Sequence, residues 1–291
     1  KEINPGFYCF NKVDLMAVID QIDNKNAQNE YYLTDAIEIL NNANKKVVKI
    51  VVDDNFEVMG INSRYDLFMA ESELRMRINK MHLLEGVQIV DINTTYIHPD
   101  AKIGKDTIIY PGTFILGSTV IGEDCVIGPQ SYIVDSTIGN KCHIYYSFIE
   151  QSIIKDCVKV GPYSHLRPHC VLEEDVKIGN FVEVKNSVLG RSTKSAHLTY
   201  IGDADVGEDV NLGCGTIFVN YDGFKKHRTI VGNKAFIGCN SNLIAPVKIG
   251  NNAYIAAGST ITDDVPDDAL AIARQRQTIK EGWVLKKKQG N

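Results

Sequence analysis

Residues 97–133 read IHPDAKIGKDTIIYPGTFILGSTVIGEDCVIGPQSYI, and every sixth residue of this stretch is an isoleucine. Aliphatic residues keep the same spacing in two later runs, at 154, 160, 166, 172, 178 and 184, and at 231, 237, 243, 249, 255 and 261. An α-helix requires apolar recurrence every three or four residues and a half-buried strand every two, so neither explains a period of six. This period is typical of a parallel β-helix, in which each face of a narrow solenoid contributes one inward aliphatic side chain.

Glycine follows many of these aliphatic residues, as at Gly104, Gly122 and Gly128, and we expect it to allow tight corner dihedrals. The six-residue register slips at two places, between residues 190 and 197 and at the stretch 220–228 (NYDGFKKHR). Loops that leave a rigid scaffold often carry binding and catalytic residues. These two places are therefore the first candidates for a site.

Residues 1 to about 85 carry a different, α/β pattern. Helices are predicted from Asp14 and over 34–43, with Thr34 as the N-cap. The segments 7–10 (FYCF) and 47–52 (VVKIVV) read as strands, the second of them buried. Residues 63–85 lack Gly and Pro and predict one long helix.

Composition excludes several classes of protein. A net charge of -5 argues against a non-specific nucleic-acid binder, which would carry a basic surplus. Seven cysteines without a C-x-x-C pair suggest neither a zinc ribbon nor a disulfide framework, so a reducing cytoplasm fits best. No apolar run approaches the roughly 20 residues of a membrane span, and we expect no membrane insertion. The chain opens at Lys1 without an initiator Met, and we interpret it as a piece of a longer protein.

Polar residues are unusually dense between residues 167 and 226. Arg167 and Lys185 are 18 residues apart and Lys185 and His197 are 12 apart, so successive coils would bring these positions near one another. Two or three basic side chains suit an anion such as phosphate, and an imidazole exchanges protons near neutral pH. A lone histidine is usually a packing residue, and a lone lysine usually belongs to a solvated surface. Only the cluster of these residues therefore indicates a functional site. Its members are Arg167, Glu183, Lys185, His197, Tyr200, Asn211, Asn220, Tyr221 and Lys226.

Several stretches in the right order resemble one enzyme family over essentially the whole chain. They are 26–35 (NAQNEYYLTD), 60–64 (GINSR), 179–185 (GNFVEVK), 197–204 (HLTYIGDA), 220–223 (NYDG) and 277–283 (QTIKEGW). The family is the bifunctional bacterial N-acetylglucosamine-1-phosphate uridylyltransferase and glucosamine-1-phosphate N-acetyltransferase. The resemblance implies that the β-helix turns left-handed, against the usual crossover preference. It also implies a homotrimer that acetylates glucosamine 1-phosphate with acetyl-CoA, for UDP-N-acetylglucosamine and cell-envelope precursors.

The resemblance implies a role for each site residue. His197 would be the general base, with Glu183 orienting or tuning it. Glucosamine 1-phosphate would be held by Arg167, Lys185, Tyr200, Asn211, Asn220, Tyr221 and Lys226. Acetyl-CoA would contact Cys214, Cys239, Ala257, Arg274 and Lys280, and the two cysteines depart from the small Ala and Ser often found there.

The resemblance also implies the domain boundaries and a missing part. The expected segments are 1–65 as the C-terminal part of an α/β uridylyltransferase domain, 66–94 as a helical connector, 95–270 as the β-helix and 271–291 as a C-terminal tail. The family's glycine-rich phosphate loop lies outside this chain. Only Asn4, a sugar contact, and Asn62, a Mg²⁺ ligand, would remain of that half, and one amide cannot hold a hard cation alone.

Two other functions remain open from the sequence. A zinc hydratase of the γ-carbonic-anhydrase kind binds metal through histidines on adjacent coils, and His143, His165 and His169 are the candidates here. A non-catalytic trimeric scaffold is the other, although the basic and aromatic residues of 220–228 argue against it.

Overall fold

A computed structural model of the chain describes residues 4–289. The chain divides into two compact units, one up to Leu74 and one from Arg75 onward. The helices are Lys12–Val18, Asp35–Asn42, Arg64–Leu84 and Trp283–Gln289, with short 3₁₀ turns at Ile19–Gln21 and Asn55–Val58. No helix among the described residues combines the length and apolarity needed to cross a membrane.

The second unit is a parallel β-helix, as the period of six predicted. Its strands form three parallel sheets, which we call sheets A, B and C, and each coil contributes one strand of two to four residues to each sheet in turn. Sheet A contains Gln88–Ile89, Ile108–Ile109, Val126–Ile127, His143–Ile144, Lys159–Val160, Lys177–Asn180, Lys194–His197, Asn211–Leu212, Phe236–Ile237, Tyr254–Ile255 and Leu270–Ala271. Sheet B contains Tyr96–Ile97, Phe114–Leu116, Tyr132–Val134, Phe148–Glu150, His165–Leu166, Glu183–Lys185, Tyr200–Gly202, Ile217–Val219, Asn242–Ile244 and Thr260–Ile261. Sheet C contains Lys102–Ile103, Val120–Ile121, Thr137–Ile138, Ile153–Ile154, Val171–Leu172, Val188–Leu189, Ala204–Val206, Thr229–Val231 and Val247–Ile249.

The predicted aliphatic residues form the core of the solenoid. Ile109, Ile115, Ile127 and Ile133 are fully buried, and they come alternately from sheets A and B. Buried Thr and Ser side chains lie between the strands and donate to backbone carbonyls, as Thr107 does to Gly122 at 2.8 Å. The core therefore buries apolar side chains while most of these hydroxyl groups find a partner; among the described residues the hydroxyls of Ser195 and Thr229 do not.

Glycine at the corners serves two purposes, and only one of them was expected. Gly104 and Gly122 do not adopt positive φ. A Cβ atom on Gly104 would lie 2.6 Å from the carbonyl carbon of Gly122 in the next coil, so close approach of the two coils excludes a side chain. Gly128, with φ of 90°, does use the left-handed freedom of glycine.

The loop predicted at 220–228 is an insertion between coils. Successive register partners such as Ile109 and Ile127 are 18 residues apart, whereas Val206 and Val231 are 25 apart. The extra residues leave the solenoid and return without disturbing the sheets above and below. At the other predicted slip, Ser195 occupies the inward position of its strand and is fully buried.

The first unit confirms the predicted helices but not the predicted strands. Neither 7–10 nor 47–52 forms a strand, and the side chain of Ile50 is 86% exposed. Apolar residues alone do not make a strand, which requires a neighbouring strand for its backbone groups. The described residues before Gln88 contain no strand.

Thr34 precedes the second helix as predicted, yet its side chain does not cap it. Its backbone is already helical, with φ of -54° and ψ of -35°, whereas a capping residue normally adopts the extended region. Its hydroxyl instead shares a hydrogen bond of 2.8 Å with the hydroxyl of Tyr8. The long helix begins with a reciprocal cap, in which Ser63 and Asp66 each accept from the other's backbone N–H.

The inward and outward isoleucines of one coil provide a test of the core. Replacing the fully buried Ile149 with Ala should lower the free energy of unfolding by about 2–5 kcal/mol, because a cavity forms where the side chain was. Ile153→Ala, on the outward face and 45% exposed, should cost well under about 1 kcal/mol. Urea unfolding followed by circular dichroism measures both. Equal effects of the two substitutions would contradict the assigned register.

Candidate anion cleft and its neighbouring corner

The outer face of sheet B brings the predicted basic residues into one column. Leu166 pairs with Val184, and Lys185 pairs with Gly202, so Arg167 and Lys185 follow one another on successive coils. Arg167 Nη1 donates to Glu183 Oε1 at 3.0 Å. This ion pair orients the guanidinium beside the strand that carries Lys185.

Tyr200, Gly202 and Asn220 fit together at the next coil. The Asn220 amide donates to the Tyr200 hydroxyl at 3.4 Å. A Cβ atom on Gly202 would lie 2.4 Å from that hydroxyl and 2.7 Å from the Asn220 amide nitrogen. Glycine at 202 therefore leaves the space that the phenol and the amide occupy.

The 220–228 loop carries Tyr221 and Lys226 opposite each other in an antiparallel bridge. Asp222 closes the turn between them by accepting from the backbone N–H groups of Phe224 and Lys225, each at 2.8 Å. The His227 ring lies 2.6 Å from the same carboxylate. These contacts hold the pKa of Asp222 well below its usual range, chiefly through the backbone donors, so the loop is most stable above that range and loses the contribution as pH falls.

Arg228 ties the end of the loop to the solenoid. Its guanidinium makes two hydrogen bonds to the Asp205 carboxylate, at 2.6 and 2.5 Å, and two more to the backbone carbonyls of Asn186 and Ala204, each at 3.1 Å. A forked guanidinium with four acceptors fixes both position and orientation. The loop that presents Lys226 is therefore held at its end as well as by its own turn.

Lys185 and Lys226 form an unusual pair of neighbouring cations. The side chain of Lys185 is only 18% exposed. The adjacent Lys226 ammonium and, after it, burial lower the pKa of Lys185, and the nearby Asp203 carboxylate partly offsets them. The half-buried ammonium group of Lys185 and the exposed one of Lys226 repel each other unless an anion joins them. The pair is thus a prepared site for a negatively charged group.

A second set of predicted residues lies along the corner where sheet A ends. Ser195 pairs with Leu212, and Leu212 with Ile237, so His197, Cys214 and Cys239 occupy equivalent positions on successive coils. Ile237 pairs with Ile255, which places Ala257 next in the same column. Arg274 follows, because its Cδ lies 3.7 Å from the Cβ position of Gly258. Parallel strands are spaced by roughly 4.8 Å, so the column from His197 to Ala257 is about 14 Å long.

Of the remaining predicted residues, Glu183 belongs to the first group and His197 to the second, whereas Asn211 and Lys280 belong to neither. Glu183 is engaged with Arg167, and no hydrogen-bond partner of the His197 imidazole is seen within residues 4–289. Asn211 lies on the outer face of sheet A, beside Lys194 and Phe236. Lys280 is exposed in the segment before the last helix. Their proposed roles stay predictions.

Asn4 and Asn62 belong to the first unit. The Asn4 amide donates to the Tyr8 hydroxyl at 2.7 Å. Asn62 is exposed and its backbone N–H donates to Asp66 at 3.1 Å. Across residues 4–289, no three His, Cys, Asp or Glu side chains are grouped as a metal site would require. The residues present around Asn62 therefore do not fit a Mg²⁺ site by themselves.

Sequence reasoning missed the carboxylates and the amide that organise the anion cleft. Asp203 accepts from Asn186 and Asn220, each at 2.5 Å, and lies 3.7 Å from Lys185 Nζ. The period of six gives no signal for Asp203, because this coil is one residue shorter than the one before and Lys185 pairs with Gly202. The partnership of Asp205 with Arg228 has no periodic signature, since the loop insertion separates them.

The histidines considered for zinc do not converge. His143 lies in sheet A and His165 in sheet B, so they face different directions, and His169 sits at a corner. His165 is already engaged with Glu150 at 3.1 Å. The geometry does not favour a zinc hydratase.

Removing one of the two neighbouring cations tests the electrostatics of the cleft. We expect Lys226→Gln to raise the pKa of Lys185 toward the ordinary value of 10.5, because Lys226 is the main cause of its depression. NMR titration of ¹³C-dimethylated lysines measures this pKa, with Lys185→Arg to assign the signal. Lys225→Gln, one residue away in the same loop, serves as the control. An unchanged Lys185 pKa in Lys226→Gln would contradict the adjacency of the two ammonium groups.

Comparison with known proteins places this architecture in a family. Models described as the GMPPB C-terminal domain and the bacterial transferase hexapeptide (six repeats) match residues 91–195 and 228–263. The hexapeptide match identifies the solenoid as the left-handed parallel β-helix that was predicted. Among solved structures, an Arabidopsis UDP-N-acetylglucosamine acyltransferase aligns over 68% of this chain and 76% of its own, with 18% identity and a TM-score of 0.46.

Curated relatives are much closer in sequence. A Caldicellulosiruptor saccharolyticus protein named "Bifunctional protein GlmU" is 78% identical over 289 residues, which are 99% of this chain and 62% of that protein. The protein of the same name from Acetivibrio thermocellus is 55% identical over 287 residues, again 99% of this chain and 62% of its own length. The chain thus spans about three fifths of the relatives that it matches. Over that span its sequence is similar to that of the proteins named bifunctional GlmU.

Proposed function

We propose that this chain transfers the acetyl group of acetyl-CoA to the amine of glucosamine 1-phosphate, giving N-acetylglucosamine 1-phosphate for UDP-N-acetylglucosamine and cell-envelope precursors. The observation that carries the proposal is the clustering of cations at sheet B, where Arg167 and Lys185 lie on successive coils and Lys226, beside Lys185, lowers the Lys185 pKa through the repulsion of the two ammonium groups. A phosphate dianion between them turns that repulsion into two charge-assisted hydrogen bonds. Arg167, one coil away, supplies a third donor.

The remaining parts of the cleft suit the sugar. Tyr200 and Asn220 offer a hydroxyl and an amide whose orientations their mutual hydrogen bond restricts. Tyr221, exposed on the loop beside Lys226, offers a ring against which a pyranose can pack. These groups would fix the orientation of the sugar once the phosphate is bound.

The corner column is our proposed track for acetyl-CoA. The pantetheine arm of coenzyme A is an extended chain, and an edge about 14 Å long with Cys214, Cys239 and Ala257 side by side offers a narrow strip for it. Arg274, at the far end of the column, and Lys280 would meet the phosphates. This arrangement brings the thioester to the end of the column where His197 lies.

His197 would act as the general base. Its imidazole takes a proton from the sugar amine as the amine nitrogen attacks the thioester carbonyl carbon, and a tetrahedral intermediate forms. Collapse of this intermediate breaks the C–S bond, and the coenzyme A thiolate leaves and is protonated. Among residues 4–289 no group forms a hydrogen bond with this imidazole, so its ring nitrogen is available to accept that proton. Glu183, which accepts from Arg167, would orient or tune His197.

We also propose that the protein acts as a homotrimer, in which a neighbouring copy would complete the site. Asn211 lies on sheet A and the anion cleft on sheet B, so a neighbouring copy would have to bring Asn211 to the cleft. Sheet B offers a flat aromatic surface for such packing, with Tyr96 stacked on Phe114 and Tyr132 on Phe148, each at 4.5 Å between ring centres. Closed three-fold packing of flat faces satisfies every copy equally.

The relatives are named bifunctional, and we propose that uridylyl transfer belongs to the longer protein. In this chain Asn4 would contact sugar and Asn62 would contribute to Mg²⁺ binding only together with oxygen ligands from elsewhere. We place the protein in the cytoplasm, where its seven cysteines, all free, would remain reduced.

The direct test is release of coenzyme A thiol. Incubated with acetyl-CoA and glucosamine 1-phosphate, the protein should release thiol only when both substrates are present, and mass spectrometry should detect N-acetylglucosamine 1-phosphate. Added EDTA should not reduce this release. Absence of sugar-dependent release would overturn the proposal, and metal-dependent CO₂ hydration would restore the zinc alternative.

A further test of the proposed function concerns the base. His197→Asn should lower kcat by roughly 10²-fold or more while leaving KM for both substrates nearly unchanged, because a positioned base acts in the transition state. His169→Asn, an exposed corner histidine outside both groups, is the matched control and should retain full activity. Steady-state kinetics measures both, and an unchanged kcat in His197→Asn would remove this residue from the mechanism.

A further inference from the structure

Asp203 is a buried carboxylate at the point where the solenoid and the 220–228 loop meet. It is 7% exposed and adopts a left-handed backbone conformation, with φ of 50°, at the corner between sheets B and C. Its N–H donates to the Lys185 carbonyl at 3.0 Å, and its carbonyl accepts from Thr229 at 3.1 Å. The backbone of this residue is thus tied to the coil below and to the strand that follows the loop.

The carboxylate of Asp203 joins the two halves of the anion cleft. Oδ1 accepts from the Asn186 amide and Oδ2 from the Asn220 amide, each at 2.5 Å. Oδ2 also lies 3.7 Å from Lys185 Nζ. Lys185 belongs to the sheet and Asn220 begins the loop, so a single side chain fixes the distance between them.

The charge of Asp203 also opposes the repulsion between the two lysines. Burial alone would raise the pKa of Asp203, but the hydrogen bonds from Asn186 and Asn220, together with Lys185, lower it below its usual range. The carboxylate therefore stays ionised and favours the protonated form of Lys185. A buried carboxylate is stable only with such partners, and here the partners are the groups assigned to the ligand.

We propose that Asp203 is the positioning residue of this cleft: its carboxylate holds the Lys185 ammonium and the Asn220 amide in the arrangement that binds the phosphate of an amino-sugar phosphate. The proposal rests on the proposed function for the identity of the ligand, but not for the arrangement itself. Asp203 touches no reacting atom. It acts through Lys185 and Asn220, as Asp205 acts on the loop through Arg228.

Asp203→Asn is the sharpest substitution, since Asn has the same shape and tolerates the left-handed conformation. The new amide cannot accept at both positions and carries no charge. We expect KM for glucosamine 1-phosphate to rise about tenfold or more, the usual effect of losing charge-assisted hydrogen bonds, with KM for acetyl-CoA unchanged. The pKa of Lys185 should fall further, because the attraction that raised it is gone.

The matched control is Asp175→Asn. Asp175 has nearly the same backbone conformation, with φ of 60°, lies at an exposed corner, and has no side-chain hydrogen bond in the described part of the chain. Asp175→Asn should leave KM for glucosamine 1-phosphate, KM for acetyl-CoA and the pKa of Lys185 unchanged.

Two readouts do not depend on acetyl transfer. Calorimetry should show weaker binding of inorganic phosphate to Asp203→Asn, and NMR titration of ¹³C-dimethylated lysines should show the lower Lys185 pKa. If the native protein does not acetylate glucosamine 1-phosphate but both readouts change as stated, the proposed function fails and the role of Asp203 stands.

Three results would overturn the role of Asp203. Unchanged phosphate affinity would mean that the carboxylate does not position the ligand groups. Tighter phosphate binding by Asp203→Asn would mean that the Asp203 carboxylate only repels the anion. Weaker binding with an unaltered Lys185 pKa, accompanied by faster hydrogen exchange of residues 221–227, would make Asp203 a tether of the loop and nothing more.

Discussion

The parallel register between coils is the constraint on which the site depends. Each coil places its strands directly over those of the coil below, and the inward aliphatic residues hold that register because a shift by one residue would turn them outward. Outward side chains at equivalent positions of successive coils therefore line up in columns. One column carries Arg167 and Lys185, and another carries His197, Cys214 and Cys239. A core made of simple repeats thus sets the relative positions of side chains that are far apart in the sequence.

The local balance of charge in the cleft determines which ligands it can bind. The molecule is acidic as a whole, with a net charge of -5, so an anion must be met by a local concentration of cations. The coils and the loop bring Arg167, Lys185 and Lys226 to one place, and Asp203 keeps them from repelling each other freely. The loop insertion does not change the register of the solenoid, since the coils above and below it pair normally.

The periodic part of this structure was predictable, whereas of the aperiodic part only the helices and the position of the 220–228 loop were. A period of six identified the β-helix because each turn repeats the same packing, and the spacing of 18 between Arg167 and Lys185 anticipated their proximity. The corner glycines were located correctly, but the reason for Gly104 lies in the neighbouring coil, which no local pattern reveals. The segment 47–52 has the composition of a strand but no neighbouring strand. Composition alone does not show whether a segment has a strand to pair with. Arg228 and Asp205 meet only because a loop returns to the solenoid.

A crystal structure of the protein with glucosamine 1-phosphate and coenzyme A tests most directly whether coil register builds both halves of the site. The account predicts phosphate density within hydrogen-bonding distance of Lys185 and Lys226, and coenzyme A extended along the column from His197 through Cys214 and Cys239. Its sulfur should lie at the His197 end. Phosphate bound elsewhere on the solenoid, or coenzyme A crossing a sheet face away from that column, would contradict it.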